Sequence, residues 1–284
     1  MALLTGVGCY VIWGLFPLYW PLLGAASAVE VLAHRMVWSF VSALVIMLLI
    51  GHRWDWARRV TGRQWGLLVV AAMVIAVNWG SYIFAVNTGH VVEASLGYFI
   101  NPLVSMVLAR LVFGERLDGW GRTGALIAFL GVAIIASGSW RTLWISLALA
   151  GSFGIYGALK KSIAIPPLGG LLVESGIMLL PSLVFLGWLE GRGEGHFTTP
   201  GLWWLFIVGG LLTMIPLWLF AIAARGLPLN TVGVLQYIGP TLQFLLGLLV
   251  FGQRPSVGYW VGLVIVWVGC AVYLVGLGRG RAAS

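Results

Sequence analysis

EASLGYFINPLVSMVLARLVFGER, residues 93–116, decides the fold of this chain, because a second, related copy follows it. The second copy, TVGVLQYIGPTLQFLLGLLVFGQR, occupies residues 231–254. At a constant offset of 138 residues, Ile100 meets Ile238, Pro102 meets Pro240, Phe113 meets Phe251, Gly114 meets Gly252 and Arg116 meets Arg254. The register continues beyond the copies, with Gly124 over Gly262 and Gly131 over Gly269. A gapless match of this length marks one structural unit used twice. Each copy is an apolar run long enough to cross a bilayer, with a proline near its middle.

Composition names the solvent. Of 284 residues, 61% are hydrophobic and 8% are charged, whereas a soluble domain carries about 25% charged residues. So few charges cannot clothe a water-facing surface. In hydrocarbon every backbone N–H and C=O needs an internal partner, which leaves helices or closed barrels. The apolar runs are about 20 residues long and do not alternate, so they are helices. The formal charge of +8 sits in short loops between spans, where it sets topology and does not call for nucleic acid. Cys9 and Cys270 lie in apolar runs near opposite ends of the chain; they suggest no disulfide framework and no metal spacing, and read as small buried hydrophobes. Ala26-Ser27-Ala28 has the look of a signal-peptidase site. The run before it is too long for a signal segment, lacks leading basic residues and contains Pro17 and Pro21, so cleavage is not expected.

Working outward, the sequence divides into ten spans, at residues 2–22, 29–50, 65–87, 92–113, 119–138, 142–160, 168–189, 201–224, 230–251 and 257–277. Lys and Arg orient them. Eleven fall on one side: Arg53, Arg58, Arg59, Arg63, Arg116, Arg122, Lys160, Lys161, Arg225, Arg279 and Arg281. Three fall on the other, Arg141, Arg192 and Arg254. The asymmetry places both termini in the cytoplasm, with a tail at 278–284. Ten spans in two copies is five per copy, the first over 1–138 and the second over 142–277. An odd unit repeated in one chain inserts upside down the second time, so the repeats are inverted. The expected fold class is therefore an all-α membrane protein of ten transmembrane helices in two inverted five-helix repeats.

Polar residues inside the spans mark candidate working groups. Tyr98, Asn101 and Ser105 share one face of span four, and the offset sets Gln236, Gly239 and Gln243 on the same face of span nine. A face that stays polar in both copies reads as lining a shared wet space. Pro102 and Pro240 deprive the carbonyls of Tyr98 and Gln236 of their helical partners; the alternative is that these prolines only bend their helices. Span three adds Asn78 and Tyr82. Trp13, with Trp79 and Trp218, lies deep, as packing or as a cavity wall. Span two opens with Glu30, His34 and Arg35, and Glu30 and His34 are one turn apart. Arg35 either snorkels to the interface or pairs with an intramembrane acid, for which Glu93 and Glu174 are the candidates. Charges at membrane depth are functional by default, and Glu174 is the expected proton-linked group. Lys160 and Lys161 read as topological anchors, Arg110 as another, and His52, His90 and His196 as solvated loop residues. Spans five and ten carry Gly124, Ala128 and Gly131, then Gly258, Gly262 and Gly269, at spacings that let helices approach closely; they are packing struts or a dimer surface. No phosphate loop, GxSxG or HExxH occurs, no metal site is indicated, and no coenzyme is implied.

These stretches resemble the drug/metabolite transporter superfamily, its EamA-type family, and within it the RarD branch, labelled chloramphenicol-sensitive protein. YVIWGLFPLYW, EVLAHRMVWSF, NWGSYIFAVNTGHVVEASLGYFINPL, GSFGIYGALKKSIAI and AARGLPLNTVGVLQYIGPTLQFLLGLLVFG carry the resemblance across nearly the whole chain. It implies a ten-helix inverted-repeat transporter of the cell membrane, with spans five and ten at the back, moving small metabolites or drugs by coupled exchange. Two departures stand out. Pro21 follows the YW of span one where the branch has Lys, so no basic site is carried over there. Span nine ends in Gly252-Gln253 where span four keeps Gly114-Glu115, which weakens a working carboxylate at that end.

The expected function is a secondary active carrier in the plasma (inner) membrane, working by alternating access on a small-molecule substrate. A proton is the suggested driver, and a homodimer through spans five and ten is the suggested assembly. The rival classes are a membrane-embedded enzyme or lipid-handling protein, and a passive channel.

Overall fold

A computed structural model describes every residue except 52–53, 88–89, 138–142, 253–255 and 283–284. The described residues form helices α1 (Ala2–Leu15), α2 (Ala28–Leu49), α3 (Asp55–Arg59), α4 (Gly62–Asn87), α5 (Val91–Phe113), α6 (Gly119–Ala136), α7 (Leu143–Ser162), α8 (Pro167–Gly191), α9 (Trp203–Gly226), α10 (Leu229–Leu235), α11 (Ile238–Leu249) and α12 (Val257–Ala282). Nine apolar segments among them are long enough to cross a membrane, with Leu229–Leu249 counted as one. Side chains such as Leu111, Leu180, Leu249 and Val257 stand fully outward. That is the pattern of helices solvated by acyl chains.

The ends of the helices follow local chemistry. Ser27 caps α2 by accepting the Glu30 N–H at 3.2 Å, and Asp118 caps α6 by accepting the Gly121 N–H at 2.6 Å. Gly114 ends α5 in the left-handed region, at φ 65°, where glycine carries no Cβ penalty.

Three segments differ from the sequence expectation. The first span is not one helix over 2–22: α1 gives way to two 3-10 turns, Phe16–Leu18 and Trp20–Leu23, and the apolar helix Ala2–Leu18 is shorter than the others. Pro17 and Pro21 supply no N–H, and each sits at the start of one of these turns. The matched prolines Pro102 and Pro240 also behave differently. Helix α5 runs unbroken through Pro102, whereas span nine breaks at Gln236-Tyr237 between α10 and α11. Finally, α12 continues through residues assigned to a tail.

Two compact units emerge, Met1–Ala76 with Leu159–Gly226, and Val77–Ala158 with Leu227–Ser284. Neither is a contiguous stretch, and each takes spans from both halves of the sequence. In the first unit α2 packs on α8 and α9, and α1 on α9. Ala43, Met47, Leu168, Leu172 and Met214 form one of its buried clusters. In the second unit α6 and α12 lie against each other along their glycines. A Cβ on Gly131 would stand 2.5 Å from the Gly262 carbonyl oxygen, and one on Gly124 2.6 Å from that of Gly269. The small faces of spans five and ten thus meet each other within one chain.

Candidate functional site

The first unit holds charge inside an apolar bundle. Lys160, two residues before the end of α7, donates to Glu174 Oε1 on α8 at 2.8 Å. The two side chains are 2% and 5% exposed, which makes this a buried ion pair and not a surface contact. The arrangement corrects two expectations. Lys160 is not a topological anchor, and the acid Glu174 is met by Lys160, while Arg35 turns elsewhere. Arg35 Nε donates to Thr213 Oγ1 at 2.8 Å, and its guanidinium lies 4.7 Å over the Trp20 ring. Thr213 in turn donates to the Gly209 carbonyl at 2.8 Å. The side chain of Glu93, the other acid proposed for Arg35, lies outside the described residues.

Near the start of α2, Glu30 is 1% exposed. It accepts from the His196 backbone N–H at 2.6 Å and meets His196 Nδ1 at 2.9 Å. His196, a loop residue 34% exposed, is therefore tied to a buried carboxylate. The His34 ring instead sits among aromatics, 5.1 Å from Phe197 and 4.1 Å from Phe206. The Tyr19 hydroxyl donates to the Leu205 carbonyl. Trp13 packs with Tyr10 and Phe220, at 5.5 and 5.8 Å between ring centroids.

The second unit brings together other expected residues. Ser105 on α5 and Gln236 at the break of span nine hydrogen-bond, Gln236 Nε2 donating to Ser105 Oγ at 3.1 Å. Both are buried. Asn101, one turn before Ser105, is buried with no partner for Oδ1 among the described residues, and the Tyr237 hydroxyl is in the same position. Buried polar atoms without partners are uncommon in native structures. Close approach of α10 to α5 rests on Gly233, where a Cβ would stand 3.0 Å from the Pro102 carbonyl oxygen. Gly239 and Pro240 are buried at the start of α11, and Gln243 is half-buried. Asn78 donates to the Leu149 carbonyl and to Ser152 Oγ, both at 2.9 Å, so its amide ties α4 to α7. The Tyr82 and Tyr98 ring centroids stand 6.4 Å apart; Tyr98 is half-buried and Tyr82 is 38% exposed.

Glu115 was visible only as half of a Gly-Glu pair. Its carboxylate accepts the backbone N–H groups of Leu229 and Asn230 at 2.9 and 3.1 Å, closing the N-terminus of α10. Lys160 was missed because two adjacent lysines read as a pair of anchors. Successive helical residues point about 100° apart, so one can face in while the other faces out. The useful signal was the short α7–α8 connection, which brings a base at the end of one helix to an acid in the next. Among the described residues, no three His, Cys, Asp or Glu side chains converge as metal ligands would.

Long apolar helices, with an ion pair and hydrogen-bonded polar side chains buried among them, mark a multi-pass membrane protein. The chain belongs to the EamA-like transporter family, whose model matches residues 1–137 and again 141–275. It is 45% identical to a protein named Protein RarD from Streptomyces exfoliatus, over 95% of this chain and 87% of that protein. It is 37% identical to an uncharacterized transporter of Vibrio cholerae, over 99% of this chain and 94% of that protein. A solved crystal structure, 20% identical, superposes with a TM-score of 0.75 over 96% of this chain and 97% of its own. The protein is a membrane transporter of the drug/metabolite superfamily.

Proposed function

We propose that the protein is a secondary active carrier of small metabolites or drugs, working by alternating access in the plasma (inner) membrane with both termini cytoplasmic. The observation that carries this reading is the Lys160–Glu174 pair, 2.8 Å apart and almost wholly buried. A charge at membrane depth is costly and marks a substrate or proton route by default. Two inverted five-helix repeats, 1–138 and 142–277, supply the symmetry that lets one site open to either side in turn. Within the second unit, polar groups of spans three, four and nine, Asn78, Asn101, Ser105 and Gln236 among them, are pathway groups. A proton is the coupling ion. A homodimer, where one forms, uses faces of α6 and α12 other than the glycine stripes they turn to each other.

Purified protein in vesicles tests the reading. A thermal-shift screen of metabolites and antibiotics selects a solute, and counterflow of that labelled solute is then measured. Saturable, trans-stimulated counterflow is the expected result. Product formation without counterflow makes the protein an enzyme, and flux that neither saturates nor responds to solute on the far side makes it a channel.

A further inference from the structure

Lys160 and Glu174 sit 2% and 5% exposed, where two apolar side chains of similar volume would hold α7 against α8 at least as well. Two charges kept in such a place have a use when one of them exchanges partners. Three features give the sign of the other partner. Lys160 lies beside the first turn of α8, since a Cβ on Gly170 would stand 3.6 Å from its Nζ. The positive end of that helix therefore adds to the ammonium, and the N-cap residue Pro166 offers no side-chain acceptor. The Trp56 indole packs on the neighbouring Gly169, where a Cβ would stand 2.8 Å from Cε2, the carbon bonded to Nε1. That Nε1–H is buried and has no acceptor among the described residues. An ammonium, a helix N-terminus and an unclaimed indole donor suit an anion and repel a cation.

The residues that pack on α8 around this pair come from α2, α4 and α9. From α2, Phe40 lies against Gly176, and Ala43 and Met47 lie with Leu168 and Leu172. Glu30, His34 and Arg35 are further toward the other end of α2, where Glu30 meets His196 and Arg35 meets Thr213. From α4, Leu68 meets Gly170. From α9, Met214 packs in the same cluster, while Arg225 is bound to the Ile165 carbonyl at 2.7 Å. Lys161 is half-buried at the end of α7, and Asp55, Arg58 and Arg63 are exposed.

We propose that Lys160 binds the carboxylate of a small organic anion in place of Glu174, and that the displaced Glu174 takes up one proton, so that anion and proton cross together. This inference rests on the carrier reading and adds a substrate class to it. The hydrogen bond from Nζ to Glu174 breaks and one from Nζ to the substrate carboxylate forms. Glu174, left in a low-dielectric bundle without that ammonium, accepts a proton from the open aqueous side. Release of the anion reverses both steps on the other side. One negative charge and one positive charge move, so the cycle is electroneutral.

The test uses the purified full-length chain. Thermal shift in detergent reads binding of small carboxylates (lactate, pyruvate and benzoate), of their carboxamides, and of amines of matched size. Counterflow of the binders follows in vesicles. Carboxylates are expected to bind and their amides and amines not to. Uptake of one proton per anion makes the apparent affinity rise about tenfold for each unit fall in pH. Glu174→Gln should bind the same carboxylates without pH dependence. It should keep counterflow and lose accumulation driven by a proton gradient. Lys160→Gln with Glu174→Gln keeps a neutral hydrogen-bonded pair, and so the fold, and should weaken carboxylate binding by more than about tenfold. Amides or amines that bind as well as their acids, or wild-type carboxylate affinity indifferent to pH, overturn the proposal. Counterflow of only neutral or cationic solutes leaves the carrier reading standing and removes this one; absence of counterflow for every solute removes both.

Discussion

Replacing Gly131 with alanine adds one carbon at the closest approach of two helices. The new Cβ would lie 2.5 Å from the Gly262 carbonyl oxygen, 2.8 Å from the Val266 nitrogen and 2.9 Å from Val266 Cγ2. Ordinary contact begins at 3.4 Å, so α6 and α12 must part locally by roughly 0.9 Å, because two of the three obstructing atoms are backbone and cannot rotate aside. Overpacking of this kind costs about 1–3 kcal/mol, and the backbone obstruction puts Gly131 near the top of that range. At about 2–4 °C per kcal/mol for a chain of this general size, melting should fall by about 5–10 °C. Gly187→Ala is the control. No atom lies within 4 Å of its Cβ position, and replacing a mid-helix glycine gains about 1 kcal/mol of helix propensity, so the same substitution should raise the melting temperature there. The two free cysteines, Cys9 and Cys270, the first fully buried, allow the melt to be followed with a thiol-reactive dye in detergent. Adding Gly124→Ala to Gly131→Ala should cost less than its single effect, since the helices have already parted. Gly131→Ala melting at or above the wild-type temperature would refute the close contact and the reasoning built on it.

Three further outcomes follow from other contacts. Lys160→Met alone should destabilise by about 3–5 kcal/mol, because it strands a buried carboxylate, while Lys160→Met with Glu174→Met should recover most of the loss; equal melting of the single and double variants would show that the pair is not coupled. Glu115→Ala removes the acceptor of two N–H groups at the start of α10 and should cost about 1–2 kcal/mol, with Glu115→Gln costing less; the same melt reads both, and no change in either would mean that the cap is idle. Cysteines introduced at the two ends of the chain, on a background lacking Cys9 and Cys270, should react with an impermeant maleimide only from the cytoplasmic side; labelling from opposite sides would invalidate the topology.

Most of the architecture was legible in the sequence, and the paired chemistry was not. The spans predicted at 29–50, 92–113 and 119–138 appear as Ala28–Leu49, Val91–Phe113 and Gly119–Ala136. Membrane solvation imposes a run length and an apolar composition that any single stretch displays. Proline chemistry was legible only in part. Pro102 and Pro240 hold equivalent positions, yet α5 continues where span nine breaks, because neighbouring contacts decide whether a helix tolerates its missing N–H. Lys160 read as an anchor, and Arg35 either as snorkelling or as a partner for Glu93 or Glu174, since sequence distance says nothing of which way a side chain turns about its helix axis. The sequence alone thus determined the solvent, the helices, the repeat and the membership of a transporter family, all of which are properties of local composition and register. Only the tertiary structure decided that Glu174 meets Lys160, that Glu30 meets His196 and that Glu115 closes α10. Those pairings depend on helix rotation and on packing between segments from 14 to 166 residues apart in the chain.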